Sequence, residues 1–491
     1  MAVEYDLIVI GGSTAGIYAA VAAAHLKARV ALVEPQQLQT TNWLSYGALY
    51  SQSLAQVGRV AKQVLDAPQL GIQFPLADST QQRQVPSVQL TEAMQWAEAV
   101  VSTCSEQISP AILASLGVDV ITGAGEFYRR PHLGFVVNNR RLRARAYLLA
   151  TGSRSVVPDI DGLKTINYHI PDDISQQDFT QELQGSWVVI GGEAIGTQLA
   201  QTLARLKCDV TLVASGTHIL SKEDPEASGL VQAQLEAEGI RVLTESSITQ
   251  VRQLDDKKWI QAGNHAIEAD EIMVALALEP NLESLNLEGV GVKFNPQGLE
   301  LNEKLQTTNP RIYACGDVVG GFRQAHIAQY EASVALKNAL FAPLFKVDYR
   351  GMPWAVLCDP QLVRVGMTEP EARERYGKDV FVVRQYFKTL DKAQLLGETT
   401  GFCKIVGRLN GEILGVSIVG SDASELIGTI ALCMRQKLKV KAIADLPLVS
   451  PTLSEILHKT AIEWQRQRQS RNKTLQNFLE GFFDLRRHWS S

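Results

Sequence analysis

Cysteine is scarce and never paired in sequence. The 491 residues hold six (Cys104, Cys208, Cys315, Cys358, Cys403 and Cys433) with no CxxC or CxxxxC spacing. That argues against a disulfide scaffold or a thiolate zinc site, and for a reducing compartment. The eight histidines show no HExxH or other ligand spacing, so no metal site is expected. Long apolar runs are missing too: the stretch around Ile17–Leu26 falls short of the ~18–20 residues that span a bilayer. Met1 to Asp6 has no basic n-region, so no secretory leader is expected and the protein reads as cytoplasmic. Nor does one charge dominate. With 47 Lys+Arg against 52 Asp+Glu and a net charge of −5, nothing marks a nucleic-acid surface. At 45% hydrophobic and 20% charged residues the chain is too apolar for disorder, and its length suggests about three domains.

What is present is a repeated strand–turn–helix–strand pattern. Asp6–Ile10 reads as a buried strand, GGSTAG (Gly11 to Gly16) as a tight turn, Ile17–Leu26 as a helix and Val30–Val33 as a second strand ending at Glu34. The same order recurs with Trp187–Ile190, GGEAIG (Gly191 to Gly196), Thr197–Leu206 and Asp209–Val213. Such turns use small residues so that the backbone can approach a pyrophosphate while the following helix points its N-terminus at the charge. Gly11, Gly12 and Gly16 meet that need, and Ser13 is small enough to keep the turn and can offer its hydroxyl to a phosphate. Glu34 suits a ribose hydroxyl. Between the two units lies the Gly/Pro loop within YLLATGSRSVVPDIDG (Tyr147 to Gly162). Later, RIYACGD (Arg311 to Asp317) is a strand leading to a helix over Ala325–Leu340. From about Val347 the pattern changes to alternating strands, Gly401–Val406 and Ile413–Val419, followed by helices at Ala423–Lys437 and from Ser454 on.

GGSTAG, ATGS (Ala150–Ser153) and ACGD (Ala314–Asp317) together complete the three-part pattern of the flavin disulfide reductases. Over about residues 4–460 the chain resembles the pyridine nucleotide–disulfide oxidoreductases, mercuric reductase and dihydrolipoamide dehydrogenase in particular. LGETTGFCKIV and GEILGVSIVGSDASELI resemble that family's dimerisation domain. The resemblance implies an α/β protein with two Rossmann-type dinucleotide-binding domains, one for FAD and one of NAD(P) type, plus a C-terminal α+β dimerisation domain. The implied boundaries are 1–160 with 286–345 for FAD, 161–285 for the NAD(P)-type domain, 346–460 for dimerisation and 461–491 for a tail. It further implies a homodimer, and bound FAD on Gly11, Gly12, Ser13, Gly16, Glu34, Thr151, Gly152, Gly316, Asp317 and Ala325. Glu34 would take the adenosine ribose and Asp317 the ribityl chain.

The departures shape the functional expectation. The family's disulfide segment corresponds to WLSYGA, which places Trp43 and Ala48 at the two cysteine positions. The lysine and glutamate that normally pair beside the flavin are Gln52 and Gln198, which could hydrogen-bond instead. The catalytic histidine is Ser450; its partner Glu455 remains, and helix capping is its favoured role. Trp43, Tyr46 and Tyr50 either lie against the flavin or fill volume vacated by thiols. In GGEAIG, Glu193 replaces the middle glycine and opposes a phosphate. Ala214 replaces the acidic ribose ligand, and ALEPN (Ala277, Leu278) replaces GRxPN, so NAD(P)H binding stays open. These features lead to the expectation of an FAD oxidoreductase whose flavin serves a non-disulfide acceptor, such as a quinone or a redox protein, with NAD(P)H as a candidate donor. On that view the chain is neither a disulfide reductase nor a mercuric reductase. The alternative is an FAD-binding electron-transfer or regulatory protein that does not use NAD(P)H. In the tail, residues 464–489 carry apolar side chains at helical spacing among Arg466, Arg468, Arg471, Lys473, Arg486 and Arg487. They read either as a helix on an anionic membrane surface or, the favoured alternative, as a stripe packed on the body or on a dimer partner.

Overall fold

The computed structural model describes residues 3–35, 48–72, 76–77, 82–83, 88–175, 183–276 and 278–489. It falls into two compact units. One runs to Gly191 and adds Leu199–Val213 and Ser246–Asp348; the other comprises Gly192–Gln198, Ala214–Glu245 and the chain from Tyr349 on.

In chain order, the first unit holds β1 (Tyr5–Ile10), α1 (Thr14–His25), β2 (Val30–Glu34), α2 (Ala48–Asp66), α3 (Leu90–Glu106), β3 (Val118–Thr122) and β4 (Ala144–Leu149). These are followed by β5 (Ser186–Ile190), β6 (Asp209–Val213), β7 (Glu271–Val274), β8 (Ile312–Ala314) and α4 (Ala325–Leu340). Leu7 to Ile10 are buried on both faces, as a parallel strand between packed layers requires. The parallel order is β8-β4-β1-β2-β3. One face buries Leu7, Val9, Leu32 and Leu148 against Ala19 and Ala23 of α1 and Ala332 of α4. The small alanines let these helices approach the sheet closely. The other face packs Ile8, Ile10 and Leu149 against Phe127 and Phe135, whose rings meet edge to face at 5.0 Å. In the same unit β5 pairs in parallel with β6 and with β7.

Helix α1 begins at Thr14, three residues before the apolar pattern alone suggests. The reason is Ser13, which caps it by accepting from the Gly16 N–H at 3.3 Å. The second glycine turn behaves alike: its helix runs over Ala194–Arg205 instead of starting at Thr197.

The second unit is built on an antiparallel sheet of β9 (Pro353–Val356), β10 (Gln361–Gly366), β11 (Val380–Tyr386), β12 (Phe402–Arg408) and β13 (Ile413–Gly420). Its order is β9-β10-β13-β12-β11. Helices α5 (Ala423–Arg435) and α6 (Glu455–Arg471) contribute to its core. The stripe over residues 464–489 is divided between two helices. Helix α6 continues to Arg471, and its Trp464 is 1% exposed and meets Phe381 edge to face at 5.5 Å. A ring of that size gains more from this core than from a surface, so Trp464 belongs to the body and not to a tail. Asn472 then ends α6 and accepts from the Leu475 N–H at 3.1 Å, starting a separate helix, α7 (Lys473–Trp489).

One charged cluster lies inside this unit. Lys404, on β12, places its ammonium 2.9 Å from Asp224, 3.1 Å from Glu226 and 2.9 Å from Glu369. Arg364 on β10 reaches Glu223 at 2.7 Å. Segment 223–226, which opens the helix Pro225–Ala237, is thus held to the sheet by ion pairs buried deeply enough to matter.

Candidate functional site

The first glycine turn leaves no freedom at two of its positions. Gly11 has φ +105°, and a Cβ there would sit 2.3 Å from the Ala150 carbonyl oxygen. A Cβ on Gly16 would sit 2.0 Å from the Gly11 carbonyl oxygen. Larger residues would push α1 off β1 and close the approach that a diphosphate needs. Ser13 uses its oxygen as the helix cap, yet its own O–H remains available to a phosphate. At the end of β2 the buried Glu34 carboxylate accepts from the Gly12 N–H, which fixes it beside the turn.

The ATGS and ACGD segments meet around Asp317. This carboxylate is 3% exposed; its Oδ2 accepts from Ser153 Oγ at 2.6 Å, while its Oδ1 has no hydrogen-bond partner among the described residues. Burial pushes its pKa up, against the Ser153 hydrogen bond and the charge of Arg323. A buried carboxylate oxygen without a donor is costly unless a ligand supplies one. A hydroxyl-bearing chain such as the ribityl of FAD fits that demand. Gly316 beside it has φ +76°, and its N–H donates to the buried Glu331 carboxylate at 2.8 Å. Thr151 Oγ1 donates to the Asn281 carbonyl at 2.7 Å, and Asn281 Nδ2 returns a bond to the Thr151 carbonyl at 3.1 Å. Gly152, at φ +71°, faces open space: a Cβ there would meet no atom within 4 Å. Ala325 opens α4. The residues present therefore fit FAD. Ser153 and Asn281 are legible in sequence only as the last residues of ATGS and ALEPN, and Glu331 not at all: each acts by holding a site residue, a role that spacing alone does not announce.

At the second turn, Gly191 has φ +127° and a Cβ there would lie 2.2 Å from the Ala275 carbonyl oxygen. Glu193 directs its carboxylate to Ser221, accepting from the backbone N–H at 3.2 Å and from the hydroxyl. Ala214 is buried, its Cβ filling the space a side chain on Gly192 would need. Leu278 lies on a short strand, Leu278–Pro280, that pairs with Ser153–Ser155; Ala277 lies outside the described residues.

Trp43 and Tyr46 also lie outside the described residues. Ala48 and Gln52 stand on the first turns of α2. Tyr50, on the same helix, is buried, and its hydroxyl has no partner among the described residues; burial, with Glu98 adding, pushes its pKa up to about 12. Gln198 is engaged within its own unit, its amide nitrogen donating to the Ala194 carbonyl at 3.3 Å and its oxygen accepting from the Leu357 N–H at 2.8 Å. Glu455 Oε2 accepts at 3.0 Å from the N–H of Thr452, which follows Ser450 and Pro451 at the approach to α6.

Comparison with known proteins adds to this geometry. Residues 5–332 match the family described as pyridine nucleotide-disulphide oxidoreductase, whose members bind FAD and use NAD(P)H, and residues 352–461 match its dimerisation domain. A dihydrolipoyl dehydrogenase of Bacillus subtilis (strain 168) is 31% identical over 464 residues, 93% of this chain and 98% of that protein. A mercuric reductase of Staphylococcus aureus is 29% identical over 469 residues, 94% of this chain and 83% of its own. Among solved structures, LpdA from Mycobacterium tuberculosis superposes with a TM-score of 0.83 at 22% identity, covering 93% of this chain and 99% of that one. The Cu(II) complex of RclA from Escherichia coli, an HOCl-induced flavoprotein disulfide reductase, gives 0.79 at 24%, covering 92% and 98%.

These relatives overturn one expectation, that of a flavin serving a non-disulfide acceptor such as a quinone in a chain that is neither a disulfide reductase nor a mercuric reductase. The alternative of a flavoprotein that does not use NAD(P)H falls with it. Relatives spanning more than nine-tenths of the chain are named dihydrolipoyl dehydrogenase and mercuric reductase. Residues 43 and 48 speak only of how electrons are relayed, not of what finally receives them, so they could not carry that conclusion.

Proposed function

Because this chain belongs to the pyridine nucleotide–disulphide oxidoreductases, we propose that it is an NAD(P)H-dependent flavoprotein reductase of a disulfide or thiophilic metal-ion acceptor. Those acceptor classes come from its relatives' names, dihydrolipoyl dehydrogenase and mercuric reductase. The observation that supports the reading best is Asp317, a buried carboxylate with one oxygen satisfied by Ser153 and the other without a donor among the described residues. FAD, when bound, supplies the two-electron exchange between nicotinamide and acceptor.

The chain's own residues bind and orient. Gly11, Gly12 and Gly16 bring the backbone up to the diphosphate, Ser13 donates its O–H to it, and Glu34 accepts from the adenosine ribose. Asp317 accepts from the ribityl hydroxyls, held in place by Ser153. Residues 161–285 supply the nicotinamide-nucleotide portion, with GGEAIG as its turn. Residues 352–461 form the surface for a second copy, so that the working form is a homodimer. Trp43 and Ala48 stand where the family has its cysteine pair, so electrons reach the acceptor without a thiol pair at those positions. Ser450, unlike a histidine, cannot take up a proton near neutral pH and so does not act as a base, and Glu455 serves the helix end.

The test is NADH and NADPH oxidation by the FAD-loaded protein, with a lipoamide-type disulfide and with Hg(II) as separate acceptors. The reading expects acceptor-dependent oxidation with at least one of them. Oxidation no faster with either than with neither would count against it.

A further inference from the structure

Helix α7 is the one long helix of the second unit that buries nothing among the described residues, although it is strongly amphipathic. Leu475, Phe478, Leu479, Phe482, Phe483 and Trp489 recur at spacings that place them on one face. Phe478 is 65% and Trp489 86% exposed, and the Phe478 and Phe482 rings stack at 6.4 Å with Phe483 edge-on to Phe482. Lys473, Asn477, Glu480, Asp484, Arg487 and His488 form the opposite face. Within its own unit α7 thus departs from the expectation of a stripe packed on the body, while a dimer partner, the other half of that expectation, is left to the test below; the apolar side chains of this face are exposed.

Two further observations decide what covers it. The family's dimerisation domain ends at residue 461, before α7 begins, and the Bacillus subtilis relative is matched over 98% of its length by 93% of this chain. The helix is thus added to a body that does without it. Its surroundings are also basic in a chain of net charge −5: residues 464–489 carry Arg466, Arg468, Arg471, Lys473, Arg486 and Arg487 against Glu480 and Asp484, with Arg487 paired to Asp484 and Arg466 to Glu463 at 3.6 Å. Arg468 and Arg471 lie over the Trp464 and Phe381 rings at 5.5 and 4.6 Å, which holds them at the junction of α6 with α7.

We propose that α7 is a membrane-surface anchor that lies in the interface of an anionic phospholipid bilayer. Its Phe, Leu and Trp face enters the acyl boundary, and the flanking arginines meet lipid phosphates. Among the described residues no helix is long and apolar enough to cross a membrane, so the contact is one of lying on the surface. An acidic body would be repelled by the same lipids, which makes a local basic anchor necessary for attachment.

Flotation of the full chain with vesicles tests this, using phosphatidylcholine alone or mixed with phosphatidylglycerol. Co-flotation is expected with the mixed vesicles, weaker with phosphatidylcholine alone and weaker at high salt. The double variant Phe478→Glu, Phe482→Glu should lower partition roughly a hundredfold, since two buried phenyl groups are lost. A chain ending at Asn472, which keeps Trp464 in its core, should stay at the bottom of the gradient while keeping its flavin absorbance. Absence of flotation with phosphatidylglycerol, or equal flotation of the double variant, would overturn the proposal. So would a fall in oligomer size by light scattering in the double variant without any lipid binding, since a second copy would then be the occupant.

Discussion

Glu193 spends its carboxylate on Ser221. It accepts from that residue's backbone N–H at 3.2 Å and from its hydroxyl, across a turn where the fingerprint ordinarily has glycine. The neighbouring loop is clamped to the same turn, since the Leu220 N–H donates to the Gly192 carbonyl at 2.7 Å. A carboxylate held by two donors opposes a nearby phosphate less than a free one would. Ser221→Ala should therefore release the charge and weaken NADPH binding, by about tenfold for each ~1.4 kcal/mol of added repulsion. Glu193→Gln should strengthen it. Titration of each variant with NADPH, followed by flavin or tryptophan fluorescence, distinguishes the two; identical affinities in both would show that Glu193 does not meet the nucleotide.

Asp317 gives a second expectation. Asp317→Ala leaves Ser153 without its acceptor and removes the oxygen assigned to the ribityl chain. The variant should purify with less FAD and bind added FAD at least about tenfold more weakly, a loss equivalent to one charged hydrogen bond of roughly 1.5–3 kcal/mol. Ser153→Ala should show a smaller loss. The ratio of flavin to protein absorbance after desalting is sufficient to measure both.

The regular parts of this picture were legible because two periodicities dominate them. Strand Asp209–Val213 coincides with the structure residue for residue, and the helix expected around Ala325–Leu340 is found there, since each is bounded by a turn and has one clear pattern. The first glycine turn was legible because Gly11 and Gly16 permit no other side chain. The stripe over 464–489 was legible as a stripe, but not its division. Apolar residues at helical spacing look the same whether they meet a core, as Trp464 does, or stay uncovered, as Phe478 does. Lys404 was missed altogether. Its partners Asp224, Glu226 and Glu369 come from distant parts of the chain, and no local spacing announces a buried ammonium. The acceptor was misread because the segment 43–48 was weighed above the 464 residues that align with a dihydrolipoyl dehydrogenase.

Lys404 accordingly offers a stability prediction. Burial by itself would lower its pKa, but Glu369 and Asp224 outweigh this and hold it above the ordinary value, so the ammonium stays charged. Lys404→Met removes the buried cation that three carboxylates share, and Asp224 among them is itself fully buried. The expected destabilisation is about 3–5 kcal/mol, read as a lower urea midpoint. Adding Asp224→Asn and Glu369→Gln to Lys404→Met should recover part of it. A Lys404→Met chain as stable as the parent would show the cluster to be solvated in practice.

Asp270 sets a pH dependence. Its carboxyl is held down at about 2, first by the Lys257 ammonium and then by the Ser186 N–H at 2.8 Å, against a small opposing effect of burial. In the unfolded chain an aspartate titrates near ~3.9. The folded value is the lower one, so the contribution is complete above about pH 4 and disappears as pH falls toward about 2. Asp270→Asn should lower Tm at neutral pH and flatten the loss of Tm between about pH 4 and 2. Parallel melting curves of the two proteins across that interval would contradict the assignment.

The reductive half-reaction is the decisive case. Purified protein reconstituted with FAD and freed of excess cofactor is mixed anaerobically with NADPH, and separately with NADH, while the flavin absorbance band is followed. Bleaching of that band by at least one nucleotide is expected. A protein that retains no FAD, or a bound flavin that stays oxidised with either nucleotide in large excess, would contradict an NAD(P)H-dependent flavoprotein reductase.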